Sequence, residues 1–146
     1  MKSVVRSAML PFTAEQMFDV VNDVARYQEF LPWCSGSEII EASSAHMLAR
    51  LTISKGAISQ DFITKNALHR PHGIDMDLVE GPFTALKGKW KFVQLGDDGC
   101  KIEMNLRFNF STRLVNLVIG KTFEHAADTL VDAFCERASR IYSDAR

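Results

Sequence analysis

The stretch Cys100-Lys101-Ile102-Glu103-Met104-Asn105-Leu106-Arg107-Phe108-Asn109-Phe110, with the change of rhythm that follows it, decides the fold of this chain. Its apolar residues Cys100, Ile102, Met104, Leu106, Phe108 and Phe110 alternate strictly with Lys101, Glu103, Asn105, Arg107 and Asn109. Successive side chains of a strand point to opposite faces, so the pattern describes a strand with one buried and one solvated face, as in an antiparallel sheet. Past Ser111 the period lengthens. Val115, Ile119, Phe123, Ala127, Leu130, Phe134 and Ile141 recur at helical spacing, flanked by Ala126, Ala133 and Ala138. That describes one long amphipathic helix, with Gly120 its weak point.

The alternation extends back along the chain. Leu86, Trp90 and Phe92 alternate with Lys87, Lys89 and Lys91 within 83–93. Met47, Ala49, Leu51 and Ile53 line one face of another strand, and Ile74, Met76 and Leu78 one face of a further one. Turn signals at Ser43-Ser44, Lys55-Gly56, Arg70-Pro71-His72-Gly73, Gly81-Pro82 and Asp97-Asp98-Gly99 separate a meander of about six strands between Gly36 and Ser111. Residues 2–10 read as an earlier strand, ended by Pro11. Thr13-Ala14-Glu15-Gln16 has the form of a capping box, with Thr13 as N-cap and Gln16 at the third helical position. Phe12 and Met17 are spaced for the accompanying hydrophobic staple. The helix so begun buries Met17, Val20, Val21 and Val24; Asn22-Asp23 interrupts it, and a second short helix carries Tyr27, Phe30 and Leu31 up to Pro32.

The element order is therefore β-α-α-β6-α, an α+β domain spanning 1–146. One helix covers a broad flat sheet poorly, so the expected sheet of about seven strands must curl around it, with glycines and bulges supplying the curvature. Where sheet and helix diverge, such a grip leaves a cavity.

Composition narrows the function classes. A net charge of −1 and a pI of about 6.4 give no global electrostatic case for nucleic acid or anionic lipid. No apolar run approaches the roughly 18 residues of a membrane span, and Met1-Lys2-Ser3-Val4-Val5-Arg6 carries no secretory h-region. Cys34, Cys100 and Cys135 are odd in number and lack a CxxC spacing, which argues for reduced, buried thiols rather than disulfides or a zinc knuckle. A location in the cytoplasm, or peripheral to the inner face of the membrane, is expected.

The strings Tyr27-Gln28-Glu29-Phe30-Leu31-Pro32-Trp33-Cys34 and Gly81-Pro82-Phe83-Thr84-Ala85-Leu86-Lys87-Gly88-Lys89-Trp90-Lys91-Phe92 resemble the coenzyme Q-binding protein family, as does Ala133-Phe134-Cys135-Glu136-Arg137-Ala138. That family includes ribosome-association (RatA-type) toxins and belongs to the START-like, polyketide cyclase-like superfamily with its helix-grip fold. The resemblance covers essentially the whole chain. It implies a cavity for a hydrophobic ligand such as ubiquinone, in support of respiratory electron transport. It equally implies an alternative: a toxin that binds the large ribosomal subunit and blocks subunit association. On the first reading no further cofactor is required, the partner is a quinone or lipid, and contact with a membrane surface is transient; on neither is DNA a partner.

The residues expected to line such a pocket are Phe30, Leu31, Trp33, Met47, Met76, Phe83, Leu86, Trp90 and Met104, with Val118, Thr122 and Leu130 along the helix. Flexible methionines suit a long, variable chain, and an indole offers a flat face to a quinone ring. Gly88, between inward Leu86 and Trp90, leaves room for close approach of helix or ligand. Lys87, Lys89 and Lys91 form an outward row that could meet ribosomal RNA or lipid headgroups through phosphates, or could simply be a solvated face. Catalysis finds little support. His69 and His72 fall in a turn without matching metal ligands, Asp75 and Asp77 fall on an outward face, and Cys34 has no histidine placed to activate it. Glu124-His125 belongs on the polar flank of the helix.

Overall fold

A computed structural model describes residues 1–143. The strands are β1 (Lys2–Leu10), β2 (Cys34–Ala42), β3 (His46–Lys55), β4 (Ile58–His69), β5 (Gly73–Glu80), β6 (Phe83–Leu95) and β7 (Gly99–Phe110); the helices are α1 (Ala14–Asn22), α2 (Tyr27–Phe30) and α3 (Arg113–Ser143), with a single 3₁₀ turn at Val24–Arg26. All seven strands form one antiparallel sheet in the order β1-β7-β6-β5-β4-β3-β2. The meander from β2 to β7 is completed by β1, which pairs with β7 on the far edge. α3 lies across the concave face, giving the helix-grip arrangement expected from the alternation in β7 and the helical period after it.

The N-terminal cap is as the sequence indicates. The Gln16 amide donates to the Thr13 hydroxyl oxygen at 3.1 Å, and the Thr13 amide donates to the Gln16 side chain at 2.9 Å. α3 starts in a similar way, with the Val115 amide donating to the Thr112 hydroxyl oxygen at 3.1 Å, and it runs through Gly120 without a break. Side-chain contacts hold it to the grip. Lys2 and Arg6 of β1 pair with Glu124 and Asp128, while the Tyr142 hydroxyl donates to the Gln16 carbonyl at 2.9 Å.

Two details differ from expectation. The β6–β7 turn is made by Gly96, at φ +65°, with Asp97 and Asp98, because a left-handed backbone is least strained at glycine; Gly99 already belongs to β7. On α3, Ile141 is exposed, and Ala138 and Tyr142 continue the inner face at four-residue steps from Phe134.

Register shifts at Cys34/Gly36 and Ile39/Glu41 in β2, at Ile63/Thr64 in β4 and at Phe83/Ala85 in β6 supply the curvature. The last of these explains how both Phe83 and Leu86 face inward although they differ in parity. Thr84 is the extra residue, and Phe83 sits opposite Phe110 while Leu86 sits opposite Phe108.

Candidate functional site: an apolar cavity under the long helix

The space between sheet and α3 is organised by two aromatic groups on the helix. Phe123 meets Phe83 at 4.9 Å, Phe108 at 4.8 Å and Phe62 at 6.2 Å between ring centroids. Further along the helix, Phe134 meets Tyr27 at 5.3 Å, Trp90 at 5.4 Å and Phe30 at 5.8 Å. Between them Ala126, Ala127 and Leu130 face the sheet at this point, with Val131 buried beside them, and the small alanines leave a gap. It is a cavity of about 70 Å³, lined from the sheet by Leu51, Phe62, Met76, Leu86, Trp90 and Leu106, from the helix by Phe123, Ala126, Ala127, Leu130 and Phe134, and closed by Tyr27 and Trp33.

Of the residues expected here, Trp33, Met76, Leu86, Trp90 and Leu130 line the cavity. The others lie elsewhere, for local reasons. Phe30 packs on Phe134 beneath the Arg137 guanidinium, 4.9 Å from its ring centroid. Leu31 is fully enclosed in the core. Met47 and Met104 face inward but sit beside Asn66 and Trp90, their cross-strand neighbours. Phe83 belongs to the Phe123 cluster, stacked on Phe110 at 5.5 Å. Val118 is half-buried in the early turns of α3, and Thr122 faces an outer cleft. Leu51, Phe62, Leu106 and the helix alanines were not singled out beforehand. Alternation places Leu51 and Leu106 inward, but only the tertiary arrangement shows that the gap opens over them.

The cavity wall carries little polar chemistry. The Tyr27 hydroxyl donates to the Val21 carbonyl, and burial, with Asp23 and Cys34 nearby, pushes its pKa upward. Burial also raises the Cys34 thiol, whose Sγ lies 3.2 Å from the Gly36 carbonyl, and the Cys100 thiol. A thiol held protonated is a poor nucleophile. Among the described residues the buried polar ones are Thr64 and Asn66 on the inner face of β4, where the Thr64 hydroxyl donates to Asn66 Oδ1 at 3.0 Å. Asn66 is flanked by Met47 and Met76 in the neighbouring strands.

On the convex face, Lys87, Lys89 and Lys91 point outward, among acidic neighbours. Lys87 pairs with Asp77 at 3.5 Å; Lys89 lies between Asp75 and Asn105, and Lys91 opposite Glu103. Arg107 stands beside Lys87, and Lys101 stands beside Val93 and pairs with Glu103 at 3.2 Å. Asp75 is occupied by His69 at 3.2 Å. The face is a lattice of alternating charges rather than a basic stripe. Among the described residues no cluster of three or more His, Cys, Asp and Glu is arranged for a metal, and no helix is long and apolar enough to cross a membrane.

Comparison with known proteins agrees with this architecture. The family model described as polyketide cyclase / dehydrase and lipid transport matches residues 10–135. The chain is 50% identical to a ribosome association toxin RatA of Pseudomonas aeruginosa, over 94% of this chain and 95% of that one. It is 26% identical to the mitochondrial coenzyme Q-binding protein COQ10 homolog B of Xenopus laevis, over 93% of this chain but 57% of that one. In fold it superimposes on a START superfamily protein from Mycobacterium smegmatis with a TM-score of 0.75, at 22% identity, covering 95% and 98% of the two chains.

Proposed function

This chain belongs to the polyketide cyclase/dehydrase and lipid transport family, and from that premise we propose that it is a non-catalytic binding protein which associates with the large ribosomal subunit and hinders its joining to the small one. The observation that carries this reading is the full-length likeness, at 50% identity, to a relative named a ribosome association toxin. The state of the cavity supports it. Ligand sites commonly enclose roughly 300–1,000 Å³, whereas the gap under α3 is about 70 Å³. A protein acting through its surface needs the packed interior only as a scaffold. The test is direct. Purified protein added to a translation extract should raise the fraction of free subunits, and should sediment with isolated large subunits; an unchanged sedimentation profile would remove the reading.

A second reading has its own observation. The cavity is apolar, walled by Trp33, Met76, Leu86, Trp90 and Leu130, and enclosed by a fold shared with a protein of the START superfamily. We infer that a quinone-like or other lipid ligand would enter here by displacing flexible groups, chiefly Met76 and the Trp33 indole at the wall. The distant likeness to a protein named for coenzyme Q binding supports the ligand class. Organic extraction of the purified protein followed by mass spectrometry should then release a quinone. Extracts without one, together with no uptake of added ubiquinone, would exclude it.

A further inference from the structure

A second surface meets the requirements of a nucleic-acid partner better than the outer lysine row. Beside Trp33, between the β3–β4 hairpin and α3, a cleft of about 440 Å³ is lined by Trp33, Ser54, Lys55, Lys121, His125 and Thr129 among others. Lys121 and His125 are four residues apart and so share a helix face, and Lys55 reaches the cleft from the end of β3. No carboxylate is among its lining residues. The depression on the convex face, by contrast, includes Glu103 beside Lys89 and Lys91. Among the described residues, Lys55 and Lys121 take part in no ion pair; in the outer row Lys87 pairs with Asp77, while Lys89 and Lys91, though in no ion pair, stand opposite Asp75 and Glu103. Unpaired cations cost a phosphate partner no broken salt bridge.

The aromatic component is present as well. Trp33 is half-buried and lines both this cleft and the inner cavity, so part of its indole faces outward. Cations beside an accessible aromatic face are the elements by which proteins hold single-stranded nucleic acid, the charges meeting phosphates and a base stacking on the ring; here the face is the outward part of the half-buried Trp33 indole. The outer lysine row lies on a strand face and has no aromatic side chain at its cross-strand positions, which are Gly73, Asp75, Asp77, Glu103, Asn105 and Arg107.

We propose that the Trp33 cleft binds single-stranded RNA, with phosphates against Lys55, Lys121 and His125 and a base on the Trp33 face. The source of that RNA, an exposed segment of large-subunit RNA, rests on the ribosome-association reading; the ligand class rests on the cleft itself.

The full chain is assayed twice: by sedimentation with isolated large subunits at rising salt, and by fluorescence anisotropy with a labelled mixed-sequence RNA of about ten nucleotides, within the usual site size. Lys55→Glu with Lys121→Glu should weaken both interactions about tenfold or more and flatten the salt dependence by roughly 1.4 in log–log slope, two single-strand phosphate contacts. Trp33→Ala should cost about tenfold and Trp33→Phe should recover most of it, since a smaller ring still stacks. Both lysines are on the surface, so the charge variants remain folded even if the Trp33→Ala chain does not. Lys87→Glu, Lys89→Glu and Lys91→Glu together should leave both interactions unchanged. Subunit binding lost in the outer triple variant but kept in the cleft variants would overturn the proposal and leave the ribosome reading standing. RNA binding through the cleft without subunit binding would uphold the proposal and remove the ribosome reading. Binding to neither probe would overturn both, and subunit binding through the cleft with no salt dependence would mean a protein partner and overturn the RNA assignment.

Discussion

Met76 occupies the space that a side chain at Gly88 would need: a Cβ built on Gly88 would lie 2.7 Å from the Met76 terminal methyl and 3.4 Å from Leu106 Cδ1. The two residues are cross-strand partners on the concave face of β5 and β6. The room left by Gly88 is thus filled from within the sheet, rather than by the helix or a ligand. Because Met76 also lines the cavity, its methyl has somewhere to go. Gly88→Ala should therefore be tolerated at a cost of about 1 kcal/mol, the low end for overpacking, with the methyl displaced into the cavity. Urea unfolding would show the lower midpoint, and a loss above roughly 3 kcal/mol, the upper end of that range, would mean that Met76 cannot move.

The cavity itself makes an opposite prediction. At about 24 cal/mol per Å³, a gap of about 70 Å³ corresponds to roughly 1–2 kcal/mol of unrealised packing. Ala126→Leu keeps a strong helix former and projects three further carbons from a residue that lines the gap. It should raise stability by about 1 kcal/mol in urea unfolding and abolish any uptake of ubiquinone. A stabilised variant that still takes up the quinone would place the ligand elsewhere.

How much of this was visible in the sequence differs by feature. The strands of β7 and β6 and the helix after Ser111 were legible because period-two and helical rhythms are local properties of the chain. The parity break between Phe83 and Leu86 was not, since a bulge leaves no mark in the alternation until the partner strand is known. The charge on the convex face was likewise hidden: Lys87 reads as free until register sets it against Asp77, and Lys91 until it is set against Glu103. Nothing in the local pattern marks Thr64 and Asn66 as the polar residues of β4 that face inward. The Trp33 cleft depends on the β3–β4 hairpin meeting α3, which no local pattern records. Ile141 was misplaced because small errors in helical period accumulate over a helix of 31 residues.

Arg137 ties α2 to α3. Its side chain is 20% exposed, stands over the Phe30 ring at 4.9 Å and pairs with Glu29 at 3.3 Å. The cation–π contact and the packing of its stem outweigh the ion pair, which is open to water. Arg137→Ala should cost about 1 kcal/mol and speed amide exchange in α2, Arg137→Lys should restore less than half, and Glu29→Gln should be nearly silent. Equal losses from Glu29→Gln and Arg137→Ala would put the ion pair first.

Acidic groups in and against the core, the buried Tyr27 phenol and the half-buried Cys135 thiol, titrate late, and this gives stability a direction with pH. Tyr27 is raised by burial first, with Asp23 and Cys34 adding; Cys135 is pushed up to about 11, by burial first and then by Asp132 and Cys100. In the unfolded chain these groups ionise at their ordinary values, 10.0 for the phenol and 9.0 for the thiol. Between pH 9 and about 11 the unfolded state releases protons that the folded state keeps, so linkage favours unfolding as pH rises. The stabilising contribution is complete below the ordinary thiol value and is lost progressively above it. Urea midpoints measured under reducing conditions at about pH 8 and about pH 10.5 should differ, the higher pH giving the lower midpoint. Cys135→Ala and Tyr27→Phe each remove one late-titrating group, so each should shallow the decline, the double variant most. An unchanged slope in the double variant would assign the alkaline loss to other groups.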